Sequence, residues 1–200
     1  MANKSGGYVF GSPAEKPVLR PLRQALYDTE GWLAGAANTA GFNLFSNNTV
    51  FATAALGAKN ASHTNMPGAG QLGTPIEFDL IGFVGQLQWG VDIDEFNQFF
   101  NRGVFTWTFG TTTVWLTTRL SHIPQGIAPT GFTTMPGTTI VSNGVQSQQN
   151  FYNMVDTSKR ARKILSNEQF RNRISHPAGI TPINTLFWTT SLMGIYYAQL

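Results

Sequence analysis

The sequence contains no cysteine. Disulfides and thiolate metal sites are therefore excluded. Charge is the next shortage: Asp, Glu, Lys and Arg make up 12% of the 200 residues, about half the usual share. A monomer needs charged surface to stay soluble, so much of this surface is expected to be hidden against copies of the chain. No apolar run reads as a membrane-spanning helix, because Asn38, Asn43, Asn47 and Asn48 interrupt the small, partly apolar stretch 31–56. Residues Met1 to Phe10 lack the apolar core of a signal peptide. The expectation is a chain that is not secreted, with the sequons at Asn3, Asn47 and Asn60 unused. His63, His122 and His176 stand apart with no metal-ligand spacing, and each reads as a turn or surface residue. There is no P-loop, GxGxxG or GxSxG. The expectation is a protein that is not an enzyme and has no cofactor, no metal and no small-molecule substrate.

What is present favours strands and turns. There are 15 Phe, 5 Trp and 5 Tyr, with abundant Thr, Asn and Gly. Residues 1–24 read as an extended basic arm: Lys4, Lys16, Arg20 and Arg23 supply charge, and Pro13, Pro17 and Pro21 break regular structure. Residues 25–200 read as one domain. Ile76, Phe78 and Leu80 alternate with Glu77 and Asp79, which predicts a strand over 76–83, and Gln86 to Val91 is expected to pair nearby. Phe105, Trp107 and Phe109 alternate with Val104, Thr106 and Thr108, and a second strand over 114–120 completes an aromatic-faced hairpin. Strands are also expected at 26–45 (in fragments), 50–56, 138–141, 151–155, 170–175 and 185–200, the last bent at Gly194. Stretches 58–74 and 124–136 read as loops, Asn143-Gly144 as a tight turn and 159–163 as a basic turn. One short helix is written between the strands: Phe96, Phe99 and Phe100 fall on one face, Asp92 with Glu95 forms a capping-box variant, and Gly103 is the stop. The acids Asp92, Asp94 and Glu95 fit helix capping and also fit a Ca²⁺ site. The spacing suits an antiparallel β-sandwich with Greek-key connections.

Charge is unevenly spread. Five acids and no base lie between Ile76 and Glu95, whereas six bases and one acid lie between Lys159 and Arg173. Arg20, Arg23, Lys159, Arg160, Arg162, Lys163, Arg171 and Arg173 are the candidate intersubunit or phosphate contacts. The acidic and basic stretches either meet across subunits, with Arg20 and Arg23 reaching Glu77 or Asp79 of a neighbour, or are solvated loops.

The run from Asp94 to Gly110, the segment Leu120-Ser121-His122-Ile123-Pro124-Gln125-Gly126, the tail Leu192-Met193-Gly194-Ile195-Tyr196-Tyr197 and Ala25-Leu26-Tyr27-Asp28-Thr29 together resemble jelly-roll virion proteins of tailless bacteriophages. The resemblance covers about half the chain in pieces. It implies a jelly-roll β-sandwich, a structural role in a self-assembling capsid shell, and location in the virion after synthesis in the host cytoplasm. Its implied partners are copies of the chain and other virion proteins, with the genome or an internal membrane beneath the basic arm. It offers no catalytic residues, and at 200 residues the chain departs from longer double-roll shell proteins. The rival expectation is a carbohydrate-binding β-sandwich of a phage fibre or lectin, with Trp89, Trp107 or Trp115 stacking on sugar rings.

Overall fold

Period-two alternation builds the sheets. In the strand Glu77–Leu87, Phe78 and Leu80 are buried while Glu77 and Asp79 are only partly covered, as the sequence pattern requires. The computed structural model describes residues 19–87, 91–123, 129–135, 138–143 and 162–199. Within these, the elements in chain order are β1 (Leu19–Arg23), β2 (Leu26–Trp32), β3 (Phe42–Leu44), β4 (Glu77–Leu87), α1 (Ile93–Arg102), β5 (Val104–Phe109), β6 (Thr113–Arg119), β7 (Pro129–Met135), β8 (Thr138–Asn143), β9 (Arg162–Ile164), β10 (Phe170–Ser175) and β11 (Leu186–Gln199).

Every named pairing is antiparallel. In one sheet β1 and β2 lie end to end along one side of β11, with β4 on its other side and β9 beyond. The second sheet runs β3-β10-β5-β6. β7 and β8 form a separate hairpin. Setting β1 and that hairpin aside, the pairing is nested: β2 with β11, β3 with β10, β4 with β9, and β5 with β6.

The two sheets face each other across one aromatic core. Phe83 of β4 stacks on Phe105 and Trp107 of β5, with ring centroids 5.1 and 6.1 Å apart. Phe105, Trp107 and Phe109 are all buried, as their alternation predicts. A buried polar bridge also joins the sheets. Trp188 Nε1 donates to Thr190 Oγ1 at 2.9 Å, Thr190 Oγ1 donates to Asn172 Oδ1 at 3.0 Å, and Asn172 Nδ2 donates to the Thr106 carbonyl at 3.1 Å. Each polar atom in that chain has a partner, which is the condition for burying it at low cost. The register of β11 with β4 shifts between Met193 and Gly194, where Ile81 of β4 is passed over. Gly194 is required there because a Cβ would lie 2.1 Å from the Asp79 carbonyl oxygen.

α1 links the first sheet to the second. Asp92 caps it by accepting from the Asp94 N–H at 2.8 Å, and Phe99 and Phe100 are buried beneath it. Two details correct the expectation. Glu95 does not close a capping box: it is buried, and its carboxylate is turned to the segment preceding β11. Gly103 ends the helix without a left-handed turn, at φ −78°. It is glycine because a Cβ would lie 2.6 Å from the Phe99 carbonyl oxygen and 2.8 Å from the Leu120 side chain.

Other boundaries move. Residues 19–23, expected within the arm, form β1, because β11 outruns β2 and leaves an edge for them to pair with. The rest of the expected arm, residues 1–18, lies outside the described residues. Residues 50–56 are not a strand but a loop with a 3-10 turn at Ala54–Leu56. Gln86 and Leu87 continue β4 instead of starting a neighbour. Residues 129–135, expected as loop, form β7. Arg162–Ile164 is strand β9, not part of a turn. The expected turn at Asn143-Gly144 and strand at 151–155 fall wholly or partly outside the described residues.

Candidate functional site

The surface that could meet a neighbour is centred on β6. Among the described residues no further strand pairs with β6, so within them its outer edge is unpaired. Its side chains are mostly exposed, Val114 at 58% and Trp115 at 38%. Trp115 rests edge-on against Phe109, 5.6 Å between centroids, which anchors one side of the ring to the core. Ile183 is exposed at 74%. Large apolar side chains on an unpaired, charge-poor edge are the chemistry of strand-to-strand association.

The candidate basic residues do not gather into one patch. Arg20 and Arg23 lie on β1 opposite Ala198 and Ile195. Arg162 and Lys163 lie on β9 opposite Leu80 and Asp79. Lys163 Nζ is 3.1 Å from Glu77 and 3.9 Å from Asp79, and Tyr197 Oη donates to Asp79 at 2.9 Å. The acids expected to await a neighbour's arginines are thus engaged within the chain, because β9 runs beside β4. Arg173 donates to the Ala40 carbonyl at 2.6 Å, and Arg171 reaches the Thr111 carbonyl at 3.5 Å while lining an open pocket with Ser46, Gly70 and Gln169. Both arginines fasten loops at the ends of the second sheet. Lys159 and Arg160 lie outside the described residues.

Of the tryptophans expected to stack on sugars, Trp107 is fully buried and Trp89 lies outside the described residues. Trp115 alone of the three has described exposure. His122 is exposed and His63 half-buried, as expected of turn and surface residues. His176 is neither: it is fully buried against Trp32 and Phe99, at 5.9 and 4.8 Å between ring centroids. Its Nε2 lies 3.0 Å from the Phe99 carbonyl, in the last turn of α1. Among the described residues no three His, Asp or Glu are grouped as a metal would need.

Glu95 holds the other end of that region. Its Oε1 accepts from the N–H groups of Ile183 and Asn184 at 2.6 and 2.7 Å, and its Oε2 from Asn184 Nδ2 at 3.1 Å. Glu95→Ala would strand these donors and is expected to cost about 1–3 kcal/mol. An unshifted urea midpoint for the variant would contradict this role.

Sequence reasoning missed the densest charged cluster. Between residues 24 and 75 the only Asp, Glu, Lys or Arg residues are Asp28, Glu30 and Lys59. All three come together with side chains at 0–1% exposure. Asp28 and Glu30 share the parity of buried Leu26 and Trp32 on β2, so both acids point coreward. Lys59 Nζ is 2.9 and 3.0 Å from the two Asp28 oxygens, 2.7 Å from Glu30 Oε1 and 3.0 Å from the Asn47 carbonyl. The Phe45 N–H donates to Asp28 Oδ2 at 2.6 Å, and the Ala52 N–H to Glu30 Oε2 at 3.0 Å. Burial pushes both carboxyls above their usual range, an effect that Lys59 opposes. The signal was present: two acids at core parity need a cation, and this stretch offers one.

No protein-family model matches the chain, and neither the curated proteins nor the solved structures contain a match to it.

Proposed function

We propose that this chain is a jelly-roll subunit of a virion shell, like those of tailless bacteriophages, that assembles with copies of itself. The nested strand pairing carries the reading. A jelly roll is an antiparallel hairpin rolled into two facing sheets, with two Greek keys. Rolling such a hairpin pairs first strand with last and works inward, the order of β2–β11, β3–β10, β4–β9 and β5–β6. α1 and the β7–β8 hairpin are insertions between strands of the roll, and β1 is an addition to its edge.

A fold alone does not assign a function. Two further observations favour assembly: the charge content of 12% and the β6 edge, unpaired among the described residues, with Val114 and Trp115 exposed. The partners in this reading are copies of the chain and other virion proteins, with the genome or an internal membrane met by the basic residues at the N-terminus. The carbohydrate-binding alternative is weakened by the burial of Trp107 in the core.

The test is particle formation by the purified full chain, read by sedimentation and negative-stain electron microscopy. Val114→Lys places a charge at the edge and is expected to lower particle yield while leaving circular dichroism unchanged. A folded full-length protein that stays monomeric at every concentration and salt, or one that binds in a glycan screen without assembling, would refute the proposal.

A further inference from the structure

We infer that Lys59 and Asp28 become joined by an intramolecular amide bond, formed in the folded chain with Glu30 carrying the protons. The inference is independent of assembly and rests on the geometry of three side chains. The Lys59 amine faces the Asp28 carboxyl with both oxygens within 3.0 Å. Glu30 Oε1 is 2.7 Å from the same nitrogen, and no other group among the described residues hydrogen-bonds it. The Phe45 N–H holds Asp28 Oδ2, where charge develops when the carboxyl carbon is attacked. The Phe51 ring, 5.6 Å from Nζ, helps keep the site apolar.

An amine and a carboxylic acid do not condense readily in neutral water because both ionise there. Burial lessens that obstacle at the carboxyl groups, whose charged forms it disfavours, and leaves Glu30 to take the proton from the amine. The raised carboxyl affinities for protons accord with this. The site starts with Lys59 as ammonium, Asp28 as carboxylic acid and Glu30 as carboxylate. Glu30 takes one proton from Nζ, and the freed lone pair attacks Asp28 Cγ. In the tetrahedral intermediate Oδ2 is held by the Phe45 N–H. Glu30 then delivers its proton to the Oδ1 hydroxyl, which leaves as water, and takes a second proton from the nitrogen. The C–N bond forms, the C–Oδ1 bond breaks, and no oxidant or further reactant is needed. The product replaces two buried charges by a neutral amide and closes a covalent loop from β2 to the segment before β4.

The test is a tryptic map of the folded full chain after incubation at neutral pH, followed by denaturation and digestion. Lys59 is the only trypsin site between Arg23 and Arg102. An amide on its nitrogen blocks cleavage there, so residues 24–102 are expected as one peptide lacking one water, with fragmentation linking Asp28 to Lys59. Glu30→Gln is expected to give peptides 24–59 and 60–102 at their sequence masses. Folded wild-type protein that yields those two peptides intact overturns the inference, whatever the variant does. So does a missing water that maps elsewhere, or an undiminished cross-link in Glu30→Gln.

Discussion

Trp107→Ala is expected to lower the unfolding free energy by about 3–5 kcal/mol, the range for removing a large buried aromatic. The ring sits where the sheets meet. It stacks on Phe83 of β4 and on Phe170 of β10, at 6.1 Å in each case, and meets Phe45 at 5.9 Å and Phe109 at 5.8 Å. Phe83, Phe170 and Phe109 belong to both sheets and are themselves fixed in strands, so the neighbours cannot all close on the space left behind. Trp107 Nε1 is buried with no hydrogen-bond acceptor among the described residues. Trp107→Phe removes that unpaired donor along with part of the volume and is expected to cost distinctly less than alanine. Urea unfolding of the three proteins, with equal slopes, measures both differences. A wild-type midpoint for Trp107→Ala would mean that the sheets do not pack through this ring.

The same ring illustrates what the sequence makes legible. Strands with one face on the core and one outside write their burial as alternation, so β4, β5 and β10 can be read directly from Phe78 and Leu80, Phe105 and Trp107, and Phe170 and Ile174. α1 is legible for the parallel reason, from apolar positions three and four apart. β2 is not, because six of its seven residues are buried and no alternation survives. β7 fails differently: its Thr, Gly and Pro content is that of a turn, and only pairing with β8 makes it a strand.

The polar site residues were hidden by distance along the chain. Glu95 looks like an ordinary first-turn acid until Ile183 and Asn184, far downstream, arrive with their N–H groups. His176 looks like a turn residue because Pro177 follows it, yet β10 carries it under α1. Asp28 and Glu30 resemble a solvent face, since alternating acids usually are one. Their parity with Leu26 and Trp32 says otherwise once β2 is known to be a strand.

His176 gives the clearest pH dependence. Burial lowers its pKa from the usual 6.5 to about 4, an effect only partly offset by the hydrogen bond to the Phe99 carbonyl. The buried ring is therefore neutral at pH 7, with Nε2–H donating to that carbonyl and Nδ1 without a partner among the described residues. The unfolded chain takes up a proton on this residue as pH falls through about 6.5, whereas the folded chain resists until about 4. Between those values the unfolded state binds more protons, so stability falls as pH falls. The histidine's share is fully present above the unfolded value and is lost by the time pH reaches the folded one, in total about 3 kcal/mol. His176→Gln keeps an N–H donor near the Phe99 carbonyl and cannot titrate in this range. Urea unfolding of both proteins from pH 7 to pH 4 isolates the histidine, because carboxylates common to both cancel in the difference. The wild type is expected to lose about 3 kcal/mol more than the variant over that interval. Parallel curves would mean that His176 is protonated alike in the folded and unfolded chains, and so is not held neutral beneath α1.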